Sequence, residues 1–206
     1  MTPSGRLYEV DTRLRPNGRA GSLVSSLAAF REYQLKDAWT WELQALTRAR
    51  FVAGSLSLAA GFTRVRQEVL CRDRDEARLT TDLADMRNKM AREQGGRAVD
   101  SPGASPKHRA GGLVDIEFVA QLGVLLSARL YPRVIQATGT EAQLTELASI
   151  GWLTDQEATV LLTAMKALRQ QRLMASLVSG PSGPEADTRQ AGEIFNTRIA
   201  ARESSV

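Results

Sequence analysis

Polar and apolar positions alternate along the beginning of the chain, from residue 7 to residue 15. Successive side chains of a β-strand point to opposite faces, so this alternation predicts a strand with one charged face. The charged face carries Leu7, Glu9, Asp11, Arg13 and Arg15, and the other face carries Tyr8, Val10, Thr12 and Leu14. From the pattern alone, the simplest interpretation is an edge strand whose charged face is solvated.

A turn at residues 16–18 then leads to a possible second short strand over residues 21–26. Ser25 or Ser26 is suited to cap a helix that follows at once. The next segment predicts a helix that begins near Asp37, runs through Val52 and is stopped by Gly54.

Apolar residues lie nearly all round this second helix, which predicts that most of its surface is buried. Glu42 and Arg50 are eight residues apart and project from roughly the same side. Two roles are open for them: salt bridges to a neighbouring helix, or positions beside a ligand.

Residues 75–94 form the clearest amphipathic pattern, with Leu79, Leu83, Met86 and Met90 in one stripe on a charged surface. Such a stripe indicates a core-facing helix rather than a cofactor site. Residues 95–112 lack any periodicity and contain five glycines, which is typical of a long loop that is mobile or functional.

A second, nearly all-apolar helix follows this loop, and it carries Asp115 and Glu117 in its first turns. Carboxylates suit the positive end of a helix dipole. The two side chains, however, project about 200° apart on a helix. If this helix is buried, at least one of them therefore needs a cation, a hydrogen-bond donor or a metal.

Downstream, a short helix, a capping box over residues 154–157, a long helix and a final helix near residues 187–202 predict an all-α bundle. The GPSGP sequence at residues 180–184 is expected to break the long helix. We therefore expect a mainly α (α+β) fold: remnant strands of a sheet followed by a helical bundle. We predict three segments: one with the remnant strands over residues 1–70, an amphipathic helix and mobile loop over residues 71–111, and a helical bundle over residues 112–206.

Composition narrows the classes of protein. Lys and Arg number 27 against 23 Asp and Glu, a mild excess that allows a phosphate-rich partner without requiring one. A single cysteine, Cys71, and a single histidine, His108, exclude a disulfide framework and a zinc-ligand cluster.

No apolar run is long enough to span a membrane, and the first residues lack a signal-peptide pattern, so we expect a cytoplasmic protein without a membrane partner. The early strand would need neighbours, so we expect a piece of a longer protein.

Several motifs then occur in order. They are Tyr8-Glu9-Val10-Asp11, Arg13-Leu14-Arg15-Pro16, Trp41-Glu42, Gln44-Ala45-Leu46, Arg48-Ala49-Arg50 and, after Lys107, the sequence GGLVDIEF. Together they resemble the C-terminal, adenylylating half of the glutamine synthetase adenylyltransferases, which belong to the nucleotidyltransferase superfamily. The homologous N-terminal half of that family removes AMP by phosphorolysis. The Tyr-Glu-Val-Asp motif and the end of the chain soon after the bundle favour the C-terminal half.

The resemblance implies ATP as substrate, Mg²⁺ as cofactor and a tyrosine of glutamine synthetase as the acceptor of AMP. Hard divalent cations prefer carboxylate oxygens, and Asp11 matches the third metal-binding carboxylate of the family. Arg13 and Arg15 would bind phosphates or neutralise the leaving pyrophosphate. The resemblance also implies that Asp115 and Glu117 lie in the helical part that faces the nucleotide cleft, with Lys107 as a phosphate contact. Their roles are hypotheses from charge within an apolar helix: we expect Asp115→Asn to abolish transfer in an intact enzyme while leaving folding largely intact.

Some features depart from the family pattern. Gly54-Ser55 stands where Gly-Asp is usual, and Ser105-Pro106 replaces an acidic and aliphatic pair before Lys107. The Gly-Ser turn and Asp-x-Asp strand that precede the Tyr-Glu-Val-Asp strand in the family are absent, and Asp73-Arg74-Asp75 lies in a charged linker. We therefore expect the isolated chain to be inactive.

An alternative from another class is a noncatalytic helical module that binds glutamine synthetase or the PII signal protein. A nucleic-acid binder is disfavoured because the arginines are dispersed and aromatic residues are only 5% of the chain.

Overall fold

The structure is a computed structural model that describes residues 11, 12, 15, 21–93, 105–177 and 186–200. These residues form eight α-helices and a short 3-10 helix at Pro132–Gln136. The α-helices are α1 (Leu27–Lys36), α2 (Thr40–Arg48), α3 (Leu56–Leu70), α4 (Glu76–Glu93), α5 (Leu113–Ser127), α6 (Thr140–Ser149), α7 (Asp155–Leu177) and α8 (Arg189–Arg198). The prediction of a mainly α fold is confirmed for this part of the chain.

The predicted strands are not seen among the described residues. The strand over residues 7–15 falls largely outside them, as does Arg13, and Asp11, Thr12 and Arg15 lie in no regular element. Residues 21–26 are also irregular, and Leu23 and Val24 are 71% and 85% exposed. A strand needs neighbours to pair with, and the described part of the chain supplies none here.

The helix predicted over residues 37–53 is wrong in its bounds. Asp37 does not start it: its backbone N–H donates to Tyr33 at the end of α1. Helix α2 begins at Thr40, where the Glu42 carboxylate accepts the N–H of Trp39, and it ends at Arg48. Residues 41–47 are all buried or half-buried, which agrees with the prediction that the helix is buried on most sides, although the fully buried positions are mostly polar.

Helix α5 lies at the centre of the fold. Thirteen of its 15 residues are buried, and it packs against α2, α4, α6, α7 and α8. Ile116, Leu122 and Val124 are at most 1% exposed and lie on different sides of the helix. An α-helix that is apolar all round is stable only when other elements cover it on every side, and the surrounding helices do so.

The remaining helices agree with their sequence patterns. In α4, Leu79 and Leu83 are buried in the core, while Met86 and Met90 are half-buried. The predicted capping box opens α7, because the Thr154 hydroxyl accepts the N–H of Glu157 and the Glu157 carboxylate accepts the N–H of Thr154. The GPSGP break and most of the predicted loop lie outside the described residues.

One cluster of buried hydrophobic residues extends from Leu46 to Ile199 and includes Leu83 and Ile116. It therefore draws on all three segments of the predicted domain division, which itself stays a prediction. No helix among the described residues has both the length and the apolar character needed to cross a membrane.

Candidate functional site

A large cleft lies where α2, α4 and the beginning of α5 meet, and it has a volume of about 1040 Å³. That size is in the range of small-molecule sites. Its charged lining residues are Asp11, Arg15, Glu42, Arg48, Arg50, Lys107 and Glu117. Four of the sequence-predicted site residues, Asp11, Arg15, Lys107 and Glu117, are therefore brought together.

The wall between α2 and α5 consists of two consecutive polar pairs. Gln44 donates from its amide to the amide oxygen of Gln121 at 2.8 Å, and Arg48 forms an ion pair with Glu117 at 3.2 Å. Residues four apart on a helix share a face, so the pairs follow one another along both helices. Glu117 is thus held by Arg48 at the edge of the cleft.

Two cations of the cleft have no carboxylate partner among the described residues. Neither Arg50 nor Lys107 makes an ion pair or a side-chain hydrogen bond with the described residues, although both line the cleft. Arg50 lies just beyond the end of α2, and Lys107 lies in the turn before α5. Unpaired cations in a concave site attract anions, and a phosphate is the anion that arginine and lysine commonly bind in proteins.

Asp115 occupies a different place from the one expected. It is 3% exposed, is not among the side chains that line the cleft, and forms an ion pair with buried Arg87 of α4. Its other oxygen accepts the N–H of Gly111 at 2.8 Å, and Arg87 also donates to the backbone oxygen of His108. Burial raises the pKa of the Asp115 carboxyl, and the hydrogen bond and charge of Arg87 oppose that rise. The pair fixes the turn that carries Lys107.

Glu42 is satisfied by neutral donors rather than by Arg50. Its two oxygens lie 2.9 Å from the Tyr33 hydroxyl, and one of them accepts the Trp39 N–H at 2.9 Å. Of the two roles left open by the sequence, the salt bridge is not formed with any described residue. Glu42 caps α2 and ties it to α1 while lining the cleft.

Arg15 is anchored at the mouth of the cleft by backbone oxygens. It donates to the backbone oxygens of Thr12 at 2.6 Å and of Gly21 at 3.2 Å. Asp11 lines the same cleft.

Sequence reasoning did not single out Arg66 and Arg87. These two buried arginines do not line the cleft but bond to the backbone of segments that do. Arg66 of α3 donates to the backbone oxygens of Leu46 and Thr47 at the end of α2, and also to Ile135. A signal for Arg87 was present, because it lies four residues after Leu83 on the apolar stripe of α4. For Arg66 the helical spacing gives a weaker signal: it follows buried Val65 directly.

The described residues hold no group of three His, Cys, Asp or Glu side chains placed to bind a metal ion. In the cleft, Glu42 caps a helix and Glu117 is paired with Arg48, and Asp11 is the carboxylate that the resemblance implies as a metal ligand. One carboxylate falls short of the oxygen ligands that Mg²⁺ takes in protein sites. These residues alone therefore do not fit a complete Mg²⁺ site.

Comparison with known proteins relates the chain to one enzyme family. A family model described as "Glutamate-ammonia ligase adenylyltransferase" matches residues 1–65, and one described as "GlnD PII-uridylyltransferase" matches residues 84–180. The bifunctional glutamine synthetase adenylyltransferase/adenylyl-removing enzyme of Nitrosococcus oceani is 47% identical over 98% of this chain. Those of Xanthomonas axonopodis pv. citri and Pseudomonas aeruginosa are each 46% identical, over 95% and 82% of it.

The chain spans about a fifth of the length of these relatives: 20%, 21% and 18% of the three proteins. The two family models cover successive parts of the chain. The first includes α1 and α2, and the second includes most of α4 and all of α5, so both parts contribute helices to the cleft. The identity extends over both parts. The chain therefore belongs to the family of bifunctional glutamine synthetase adenylyltransferase/adenylyl-removing enzymes, of which it represents one segment.

Proposed function

We propose that this chain forms part of the transferase unit that moves AMP from ATP to a tyrosine of glutamine synthetase. The observation that carries the proposal is the presence of Arg50 and Lys107, two cations without a carboxylate partner among the described residues, in one large cleft. The reaction is the one for which the relatives are named. A triphosphate is the part of ATP that such a pair of cations suits.

The residues of the cleft have distinct proposed roles. Arg50, Lys107 and Arg15 bind phosphate oxygens, and Arg13 is proposed to act with Arg15. Glu117 orients Arg48 through their ion pair. Asp115, predicted from the sequence to contact the nucleotide, is proposed to act indirectly by fixing the turn that carries Lys107.

Asp11 is proposed to be one ligand of a catalytic Mg²⁺, an ion that neutralises charge on a triphosphate when bound. The remaining ligands would have to come from outside the described residues. The Asp-x-Asp sequence at residues 73–75 does not replace them, because Asp73 is exposed and paired with Arg129, away from the cleft. We therefore propose that the 206-residue chain alone does not catalyse transfer.

The test is a chimaera in which this chain replaces the matching segment of the Nitrosococcus oceani relative. Transfer of label from α-³²P-ATP to glutamine synthetase is measured for the chimaera and for the chain alone. We expect activity in the chimaera and none in the chain. Arg50→Gln and Lys107→Gln in the chimaera should each weaken the apparent affinity for ATP about tenfold or more, because charge-assisted hydrogen bonds to phosphate are lost.

The matched control is Arg64→Gln on the exposed surface of α3, which removes one positive charge outside the cleft. It should leave the apparent affinity for ATP unchanged. Equal effects of the Arg64 and Arg50 substitutions would attribute the loss to net charge and contradict the proposed site. An inactive chimaera that is folded would contradict the proposed function.

The direction of the reaction is a separate proposal. The relatives carry both an adenylyltransferase and an adenylyl-removing activity, and we propose that this chain belongs to the adenylylating, C-terminal half. Arg50→Gln in the chimaera should then reduce addition of AMP and spare phosphate-dependent removal of AMP from adenylylated glutamine synthetase. The reverse result would assign the chain to the other half.

A noncatalytic module that binds glutamine synthetase or the PII signal protein is the second candidate. An exposed apolar surface around α3 favours it: Val52, Leu56 and Leu58 are 76%, 85% and 55% exposed. The family model that matches residues 84–180 also has PII in its description. Co-sedimentation of the chain with each protein tests this candidate, and Leu56→Ser should abolish binding if the apolar surface is responsible.

A further inference from the structure

Three glutamines line the cleft, and each comes from a different helix. Gln34 of α1, Gln44 of α2 and Gln121 of α5 are 9%, 4% and 7% exposed. A glutamine amide carries both a donor and an acceptor, and burying it is unfavourable unless both find partners. Three buried amides at one site therefore raise the question of what each amide bonds to.

The side-chain amides of Gln44 and Gln121 bond to each other, because Gln44 donates to the amide oxygen of Gln121 at 2.8 Å. The Oε1 atom of Gln34, in contrast, is buried and accepts no hydrogen bond in the described part of the chain. An unpaired buried carbonyl oxygen destabilises a folded protein, and in a cleft a bound ligand can supply the missing donor.

The surroundings of Gln34 define the chemistry of that ligand. Phe30, Phe62, Met86 and Met90 line the same cleft and present flat or polarisable apolar surface. Arg50 and Lys107 supply positive charge elsewhere in the cleft. A planar aromatic base joined to a phosphate chain matches both parts of this lining.

Adenine presents a donor, its 6-amino group, next to an acceptor ring nitrogen. A glutamine amide is complementary to this edge, since its oxygen accepts from the amino group while its nitrogen donates to the ring. The final side-chain torsion of glutamine is soft, so the amide turns toward a ligand at small cost. We propose that Gln34 recognises the adenine base of the nucleotide and is the residue of this cleft that selects it.

This assignment rests on the proposed function, and it makes a distinctive prediction about stability. Gln34→Met keeps the length of the side chain and removes the unpaired amide. The ligand-free variant should therefore melt at or above the temperature of the wild-type chain, whereas loss of a glutamine with a structural role would lower it. The same variant should bind ATP about tenfold more weakly in isothermal titration calorimetry.

Purine riboside triphosphate, which lacks the 6-amino group, provides a second measurement that requires no variant. The wild-type chain should bind this analogue about tenfold more weakly than ATP, and Gln34→Met should bind the two nucleotides alike. Gln67→Met on the exposed surface of α3 is the control, and it should retain both the affinity and the preference of the wild-type chain.

The outcomes separate this inference from the function on which it rests. Failure of the wild-type chain to bind ATP at all would overturn the proposed nucleotide site, and the role of Gln34 with it. Tight binding of ATP together with equal affinity for the analogue would overturn the role of Gln34 alone. A melting temperature lowered by Gln34→Met, with ATP affinity unchanged, would likewise show that Gln34 is structural.

Discussion

Arg87 of α4 donates to Asp115 of α5, and the two side chains are 7% and 4% exposed. The second oxygen of Asp115 accepts the backbone N–H of Gly111, and Arg87 reaches the backbone oxygen of His108. Four groups from α4, α5 and the turn between them are thus joined in one buried network. The network is satisfied only when both charges are present.

Replacement of Asp115 by asparagine should therefore destabilise the fold. The amide has no negative charge, so Arg87 is left buried without its counterion, and breaking a buried pair in this way costs about 3 kcal/mol. Urea unfolding of Asp115→Asn against wild type measures this loss. From the sequence we expected folding to survive this substitution largely intact, and the burial of the pair now predicts the opposite.

The double substitution Arg87→Met/Asp115→Leu is the matched control, because it removes both charges and fills their space with apolar side chains. It should recover at least half of the stability lost in Asp115→Asn, since no buried charge remains unpaired. Should the single substitution prove as stable as wild type, the ion pair would carry no weight in the fold. The turn before α5 would then be fixed by other contacts.

Gly111 is required by the close approach of α8. Its φ is +65°, and a Cβ atom there would lie 2.1 Å from the backbone oxygen of Thr188. Gly111→Ala should cost more than 2 kcal/mol, since both the conformation and the backbone contact are unfavourable, with the conformation alone worth about 1 kcal/mol. Gly151→Ala separates the two effects, because Gly151 has a φ of +74° but open space around it. Equal losses of stability in the two variants would contradict the close-contact argument.

The sequence predicted the parts of the site that depend on local pattern. The apolar stripe of α4 and the all-round apolarity of α5 identified both helices, and the capping box at Thr154 marked the start of α7. The same reasoning required a partner for a buried carboxylate near the start of α5. It could not name Arg87, because that pairing joins residues 28 positions apart in different helices.

The boundary between α1 and α2 shows why other predictions failed. Asp37 suits the start of a helix by residue type, yet its N–H continues the hydrogen bonding of α1. The start of α2 is set instead by Glu42, which reaches back to Trp39 and across to Tyr33. The hydrogen bond to Tyr33 belongs to the packing of two helices, so local preference did not reveal which acidic residue marks the boundary.

His108 should make stability depend on pH near neutrality. Burial, followed by the charges of Lys107, Arg87 and Arg172, lowers the pKa of its imidazole below the usual value. The unfolded chain then binds the proton more readily, so stability is complete above about pH 6.5 and falls as the pH drops below it. Melting temperatures between pH 8 and pH 5.5 measure this fall.

His108 is the single histidine of the chain, which makes the assignment direct. Its ring protons give one titration curve in a proton NMR experiment, and the midpoint should lie below that of a histidine in an unfolded peptide. His108→Gln should remove most of the fall in melting temperature over this range. A midpoint above the peptide value would reverse the predicted sign.

Arg66 holds the end of α2, and with it the approach to the cleft. Its guanidinium is 7% exposed and donates to the oxygens of Leu46 at 3.0 Å and Thr47 at 2.6 Å, as well as to Ile135. The last carbonyls of a helix lack i→i+4 partners within it, and at Leu46 and Thr47 the bonds from Arg66 add to those donated by Ala49 and Gln143. Lysine offers no planar fork to reach all three oxygens.

Arg66→Lys should therefore destabilise the chain by about 2 kcal/mol, because three buried carbonyl oxygens each lose a charge-assisted hydrogen bond, although Leu46 still accepts from Ala49 and Thr47 from Gln143. Arg64→Lys, an exposed change of the same kind on the same helix, should shift stability by less than about 0.5 kcal/mol. Amide hydrogen exchange should also become faster at Arg48 and Ala49 in the Arg66 variant, since the oxygens that Arg66 binds, those of Leu46 and Thr47, lie directly before them. Exchange unchanged at these two residues would mean that the end of α2, and the position of Arg48 beside Glu117, are fixed without Arg66.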